Sequence, residues 1–345
     1  MRSVEAETKE ALVSPIDSLA IIGRGLVGSM FVERFTALEG LKVLAAGRGE
    51  IASVMEQQPE VVLAATPNPV GEVAAELAAR AIAPFSLVLP QNGVGVIEQA
   101  QRALGRSDIS LIRASLYTMV SQSDNGVAYD PAKLRLTLSP GRHQDRRELS
   151  RVRLALMSAG FAVVTCENPR DMEWTKLLVN SIGSTSTVTG LTPRETFVDE
   201  NLFSLELTGL RQRSAVIRAG GIKLVNIPWA KTPLLRLGAS VLPSYVPGAL
   251  KQLIAETVAE GRDNLPSAAA RKITEGREPS EALEYHLPFI QLAKETGLTA
   301  TVDEAIVEVI QQHLRGEIHL QEMTSRQKTD LLTLVLRNGG SLPRK

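Results

Sequence analysis

A short apolar run, Ser18-Leu19-Ala20-Ile21-Ile22, leads directly into Gly23-Arg24-Gly25-Leu26-Val27-Gly28, and apolar residues then recur at Leu26, Met30, Phe31, Phe35 and Leu38. The run reads as a strand buried on both faces. The spacing that follows is helical, and Gly40 stands where a helix C-cap belongs. Three glycines in a G-x-G-x-x-G pattern are weak evidence alone. Between a strand and a helix near the start of a chain they are strong evidence. The first allows the tight turn, the second lets backbone approach a pyrophosphate, and the third lets helix and strand pack closely, while the helix N-terminus offers free N–H groups to the phosphates. Gly23, Arg24, Gly25, Leu26, Val27 and Gly28 are therefore expected to bind a dinucleotide.

The same alternation continues. Strands are expected at Leu41–Ala46, Val61–Ala65, Ser86–Leu89 and Leu111–Thr118, with helices over Val70–Ala81 and Val96–Leu104. Strands and helices taking turns at this spacing predict a Rossmann-type doubly wound parallel sheet. After about residue 125 the pattern changes, with strands at Leu134–Leu138 and Phe161–Thr165 around a helix over Gln144–Ala159. From Asp171 the chain reads as helices over 171–188, 200–219, 249–262, 283–296 and 302–315, with breaks at Gly220-Gly221, Pro243–Gly248 and Pro266. The expected class is α/β, an N-terminal Rossmann-type domain followed by an all-helical C-terminal domain. The expected divisions are an extension over 1–16, a dinucleotide-binding domain over 17–168, a helical domain over 169–325 and a basic tail over 326–345.

Composition narrows the function classes. Among 345 residues, 38 basic side chains balance 38 acidic ones, which argues against a nucleic-acid partner. Aromatic residues are only 4%, too few for a base-stacking platform. No run reaches the roughly 18 apolar residues of a membrane span, and the acidic start MRSVEAETKE is no secretory signal. Cys166 is the single cysteine, so no internal disulfide forms and a cytoplasmic location is expected. His143, His286, His313 and His319 are dispersed, and no metal site is expected.

Residue chemistry then separates cofactor from substrate. The second strand ends Ala45-Ala46-Gly47-Arg48, with no carboxylate at its tip and Glu50 two residues later. Sheets that bind NAD carry an acid there for the ribose 2′-hydroxyl; an arginine suits the 2′-phosphate of NADP. NADP(H) is the expected cofactor, held by Arg48 with Arg24 adding charge. Gln91-Asn92-Gly93-Val94-Gly95 follows the fourth strand at the carboxyl edge of the sheet, where open α/β sheets bind ligands. In Trp174-Thr175-Lys176-Leu177-Leu178-Val179-Asn180, the residues Lys176, Asn180 and Ser184 are spaced by four and share one face of the expected helix. His286 and His313 are expected to be structural, and Asp303-Glu304 a charged first turn.

This order of motifs resembles the ketopantoate reductase (2-dehydropantoate 2-reductase) family over roughly residues 18 to 312. The resemblance implies NADPH-dependent reduction of a 2-keto acid, ketopantoate to pantoate in pantothenate biosynthesis. It implies that Gly23, Gly25 and Gly28 hold the pyrophosphate, Arg48 the 2′-phosphate, and Asn92 the nicotinamide and substrate side of the crevice. It assigns Lys176 as the catalytic lysine, Asn180 as substrate-binding and Glu281, after Ser267, as the active-site glutamate. A lysine ammonium would stabilise the charge that hydride attack builds on the keto oxygen and donate the proton. A homodimer is allowed for.

Departures from the family pattern fall on the substrate pocket. Ser184 stands where the family has a second asparagine, and Ala268 where it has the serine that holds the substrate carboxylate, leaving Ser267 beside it. Two further readings therefore stand beside the first: a related dehydrogenase acting on another keto acid or an imine, and a non-catalytic NADP-binding regulator.

Overall fold

Strand β1, Ser18–Ile22, is an interior strand of a sheet, hydrogen-bonded in parallel to β2, Lys42–Ala46, on one side and to β3, Val61–Ala64, on the other. The computed structural model describes residues 14–124, 126–227, 246, 248–260, 264–279 and 281–338, without the side chains of Leu250, Glu260 and Glu281. The expected extension up to residue 13, and residues 339–345 of the expected tail, lie outside the described residues. The chain divides into two compact units, Met1–Glu173 and Trp174–Lys345. The expected boundary at residue 168 instead precedes a helix, Pro169–Asn180, that the division cuts.

In the first unit, β4 (Ser86–Leu89) and β5 (Ser110–Leu116) extend the sheet in parallel, and β6 (Ser121–Ser123) and β7 (Gly126–Ala128) form a separate hairpin. β8 (Arg135–Pro140) joins β5 antiparallel, and β9 (Ala162–Thr165) joins β8 in parallel. The order is β2-β1-β3-β4-β5-β8-β9. The sheet is thus mostly parallel with one antiparallel junction, and the small hairpin lies where the sequence pattern changes.

Successive strand residues face opposite sides, and both sides are buried. Ala20, Ile22, Val62, Ala64, Leu87 and Leu89 pack in one core cluster, while Leu19, Ile21, Val61, Leu63 and Val88 pack in another. The second cluster takes Met30, Phe31 and Phe35 of α1 (Leu26–Thr36) and Leu149, Val152 and Leu156 of α5 (Arg146–Ser158). The first takes residues of α2 (Ile51–Met55), α3 (Gly71–Arg80) and α4 (Val96–Leu104). Two buried faces explain why these strands read as continuous apolar runs. The connection reverses direction between β1 and β3, which is where such sheets bind ligands.

The helix begun at Pro169 is α6, Pro169–Asn180. The second unit continues with α7 (Ser186–Thr189), α8 (Pro193–Val198), α9 (Glu200–Ala219), α10 (Gly248–Glu260), α11 (Ala268–Thr274), α12 (Glu281–Thr296), α13 (Thr301–Leu314) and α14 (Ser325–Arg337). Two expectations are corrected here. The helix expected over 171–188 ends at Asn180, because Gly183 takes φ 72° and turns the chain before α7. The segment expected as a basic tail from residue 326 is instead mostly α14, with Leu332 and Val335 buried against Val302, Ile306 and Ile310. Its apolar positions recur at helical spacing, and burying that stripe outweighs the basic composition.

Candidate functional site

The glycine turn is shaped by sterics. Gly23 has φ 120°, and a Cβ there would lie 2.3 Å from the Ala65 carbonyl oxygen at the end of β3. A Cβ on Gly28 would lie 2.0 Å from the Gly23 carbonyl oxygen. Both contacts are with backbone, so any side chain forces the turn apart. At Gly25, the residue before α1, a Cβ would meet nothing within 4 Å. This face is open. The helical ladder begins with the Ser29 N–H donating to the Gly25 carbonyl at 2.9 Å, so the N–H groups of Leu26, Val27 and Gly28 precede the first intrahelical bond. The first turn carries no acidic residue. Donors, partial positive charge and open space fit a pyrophosphate.

The tip of β2 differs from expectation. After Ala46, Gly47 opens a single 3₁₀ turn, Arg48–Glu50, which folds the Glu50 side chain back. The Gly47 N–H donates to Glu50 Oε2 at 2.6 Å, and Arg24 Nη2 lies 2.8 Å from Oε1 and 2.7 Å from Oε2. The Gly47 N–H and the Arg24 guanidinium together hold the Glu50 carboxyl below its ordinary range. The strand tip therefore does carry a carboxylate, delivered by a turn rather than by the strand. Arg48 is exposed on the same turn. Arg24, expected to add charge for a phosphate, is committed to Glu50.

The turn after β4 is held by several hydrogen bonds. Gln91 Nε2 donates to Ala64 O at 2.5 Å, and Asn68 Nδ2 donates to Asn92 O at 2.6 Å. Arg113 Nη2 donates to Gln91 O at 2.6 Å and its Nη1 to Leu89 O at 2.6 Å. The Arg113 Nε donates to Glu173 Oε1 at 2.6 Å, and Glu173 in turn accepts the N–H groups of Gly95 at 2.7 Å and Val96 at 3.3 Å. Glu173 thus caps α4, whose preceding Gly95 has no side chain to do so. Burial pushes the Glu173 carboxyl above its ordinary range, against Arg113 and the Gly95 N–H. The Asn92 side chain stays exposed while its backbone is fixed. Sequence reading missed both Arg113 and Glu173. The available signal was an arginine inside Ser110–Leu116, a strand otherwise apolar enough to be buried, where a cation needs a partner.

In the helical unit, Lys176 is buried, with 8% of its surface exposed, and Asn180 is half-buried, one turn further along α6. Ser184 does not share their helix. It lies in the turn 181–185, where its Oγ accepts from Arg213 Nη2 at 2.9 Å. Glu206 accepts the N–H groups of Gly183 at 2.9 Å and Thr185 at 2.7 Å. Arg213 Nη1 donates to Ser181 O at 2.8 Å, and its Nε lies 3.0 Å from both oxygens of Asp303. His286 Nδ1 is 2.7 Å from Asp303 Oδ1. Burial would raise the Asp303 carboxyl, but Arg213 and His286 hold it below the ordinary aspartate range. Asp303 lies in the first turn of α13, yet it is an ion-paired core residue rather than a solvated charge.

Ser267 caps α11, its Oγ accepting the Ala270 N–H at 3.1 Å and lying 3.3 Å from Thr187 Oγ1. Glu281 opens α12, and its side chain lies outside the described residues. Burial raises the Cys166 thiol to about 11, too high for a nucleophile at neutral pH. His313 Nδ1 lies 3.3 Å from Ile318 O. Among the described residues no three metal-ligating side chains cluster, and no helix is long and apolar enough to cross a membrane.

No family model matches the chain, and no curated protein matches its sequence. Solved structures do match its fold. A ketopantoate reductase from Ralstonia eutropha aligns with 94% of this chain and 100% of its own length, at 16% identity and TM-score 0.60. A 2-dehydropantoate 2-reductase from Methylococcus capsulatus aligns over 89% and 98%, at 15% identity and TM-score 0.61. A D-mandelate dehydrogenase, solved with NADH and anilino(oxo)acetate, aligns over 92% and 99%, at 12% identity and TM-score 0.62. At these identities the likeness is one of fold, and the chain has the fold of the ketopantoate reductases.

Proposed function

We propose that this protein is an oxidoreductase that reduces a small 2-keto acid to the 2-hydroxy acid with NADPH, with 2-dehydropantoate as the leading substrate. The observation that carries the reading is the glycine turn at the sheet's switch point, where Gly23 and Gly28 admit no Cβ and Gly25 leaves an open, donor-lined face. Gly23, Gly25 and Gly28, with the N–H groups of Leu26 and Val27, would hold the pyrophosphate, and Arg48 the 2′-phosphate. Bound there, the dinucleotide would supply the hydride for the keto carbon. The Lys176 ammonium stabilises the charge that develops on the keto oxygen and gives it a proton. Asn180 orients the substrate, as does Asn92, whose backbone is fixed and whose side chain is exposed. The names of the fold neighbours, ketopantoate reductase and D-mandelate dehydrogenase, support keto-acid chemistry.

A second reading, a different 2-keto acid, is favoured by two side chains. Ser184 is occupied by Arg213 and Ser267 by its own helix, so both candidate replacements for the family's pocket groups already have structural partners. The test is NADPH oxidation with a panel of aliphatic and aromatic 2-keto acids, comparing wild type with Lys176→Ala. Turnover of 2-dehydropantoate that falls about 10²- to 10⁴-fold in the variant supports the first reading. Lys176-dependent turnover of other keto acids alone supports the second. Dinucleotide binding with no turnover of any of them sinks both and leaves a dehydrogenase acting on an imine or a non-catalytic regulator.

A further inference from the structure

The geometry points to Glu50 as the residue that opens this site to NADH beside NADPH: it accepts the ribose 2′-hydroxyl of NADH and withholds Arg24 from the 2′-phosphate of NADPH. The inference rests on the reading of the glycine turn as a dinucleotide site. It refines which dinucleotide that site takes.

The carboxyl ends of the strands are the ligand edge of a parallel sheet, and an acid at the tip of the second strand is the group that bonds a ribose 2′-hydroxyl. In sequence Glu50 lies past that tip. In the structure the 3₁₀ turn brings its carboxylate back onto the Gly47 N–H, 2.6 Å away. A Cβ on Gly47 would lie 3.4 Å from Glu50 Oε2 and 4.0 Å from Arg24 Cδ, so carboxylate, turn and arginine stem pack together. Arg24 sits between Gly23 and Gly25, so the carboxylate is tied to the glycine turn itself.

The acceptor arithmetic leaves room for a hydroxyl. A carboxylate offers about four lone-pair sites. Glu50 uses three of them, one on the Gly47 N–H and two on Arg24 Nη2, which bridges both oxygens. A neutral hydroxyl donates to the remaining capacity without disturbing the pair. A 2′-phosphate has no proton to donate in its dianionic form and meets a like charge. Arg24 would attract the phosphate but is neutralised by Glu50, which leaves Arg48 as the cation on this turn without a carboxylate partner among the described residues. The pair is nevertheless open to solvent, with side-chain exposures of 66% and 47%. Exposed ion pairs are weak, so a phosphate can displace Glu50 rather than being excluded. The wild-type protein therefore accepts both dinucleotides with little discrimination.

The test measures dissociation constants of NADPH and NADH by fluorescence of the reduced nicotinamide, for wild type, Glu50→Gln, Arg24→Gln and Arg48→Ala. Wild type is expected to hold the two within about tenfold of each other, the range of one charge-assisted hydrogen bond. Glu50→Gln is expected to move the ratio roughly tenfold toward NADPH, tightening NADPH and weakening NADH. Arg24→Gln frees the carboxylate and is expected to move the ratio toward NADH. Arg48→Ala is expected to weaken NADPH alone. An unchanged ratio in Glu50→Gln, or a shift toward NADH, overturns the inference while leaving the dinucleotide site intact. Failure of the folded wild-type protein to bind either dinucleotide overturns the functional reading itself.

Discussion

The turn after β4 and the turn after α6 are fastened in parallel ways, one by a buried arginine and one buried carboxylate, the other by a buried arginine and two, yet the charges end on different partners. In the first unit Arg113 donates to the carbonyls of Leu89 and Gln91, while Glu173 accepts from Gly95 and Val96. The ion pair there is a brace for backbone. In the helical unit Glu206 takes the turn's N–H groups, and Asp303 binds only side chains, Arg213 and His286. Its carboxylate anchors the arginine rather than the turn. The same contrast orders the two acids electrostatically. Burial leaves Glu173 raised, with Glu98 adding repulsion, whereas Asp303 has Arg213 and His286 to offset burial and lies low. A brace needs shape, while an anchor needs charge.

The largest effect is expected from cutting the anchor. Arg213→Ala leaves Asp303 and its neighbours buried without their guanidinium, and removing one partner of a buried pair costs about 3–5 kcal/mol. Urea unfolding followed by circular dichroism measures it. A loss under about 1 kcal/mol would show that the network tolerates Asp303 alone, and the distinction between anchor and brace would fall. Glu173→Gln keeps the size of the brace but removes its charge and turns one accepting oxygen into a donor, and a smaller loss is expected, about 1.5–3 kcal/mol for hydrogen bonds to a charged group. If Glu173→Gln proved as costly as Arg213→Ala, charge rather than shape would be holding the Gln91–Gly95 turn. Under the proposed function its effect should appear as a raised KM for the keto acid, because the turn carries Asn92, which that reading assigns to the substrate.

Gly28→Ala probes a third kind of fastening, in which no side chain takes part. Its Cβ would lie 2.0 Å from the Gly23 carbonyl oxygen, and overpacking of this kind costs typically about 1–3 kcal/mol. Reduced-nicotinamide fluorescence should show dinucleotide binding lost even where the protein remains folded. Unchanged binding would mean that the glycine turn is not the phosphate cradle.

These three fastenings were unequally legible. The glycine turn announces itself because its cause is local: the backbone conformation and the residue that permits it are the same residue. Ser86–Leu89, Val96–Leu104 and Glu200–Ala219 could be placed to the residue for the same reason, since their periodicity is contained within each segment. Arg113 and Glu173 lie 60 residues apart and Arg213 and Asp303 lie 90 apart, and no local pattern pairs them. Glu50 stands two residues past the strand tip along the chain, and the 3₁₀ turn shortens that distance in space. The break at 181–185 did carry a local signal, Ser181, Gly183, Ser184 and Thr185, all poor helix formers. The four-residue spacing of Lys176, Asn180 and Ser184 masked it.

The smallest expected effect is the most discriminating, because it depends on sign alone. Asp303 titrates below the ordinary aspartate value of 3.8 in the folded protein. A depressed carboxyl contributes stability that is present above its unfolded value and lost as pH falls through the folded one. Glu173 titrates above the ordinary glutamate value of 4.5. The folded state then binds the proton more tightly than the unfolded state, so that contribution is present below 4.5 and lost as pH rises through the folded value. The two trends have opposite sign and fall in adjacent windows, Asp303 below about 3.8 and Glu173 above 4.5. Substitution separates them. The cost of Asp303→Asn should grow as pH rises through the acid range up to about 4, and the cost of Glu173→Gln should shrink as pH rises above about 4.5. Denaturant midpoints taken from pH 3 to 8 for wild type and both variants give the two slopes. Slopes of the same sign would mean that the two carboxylates share one electrostatic environment, and the brace and the anchor would be the same device.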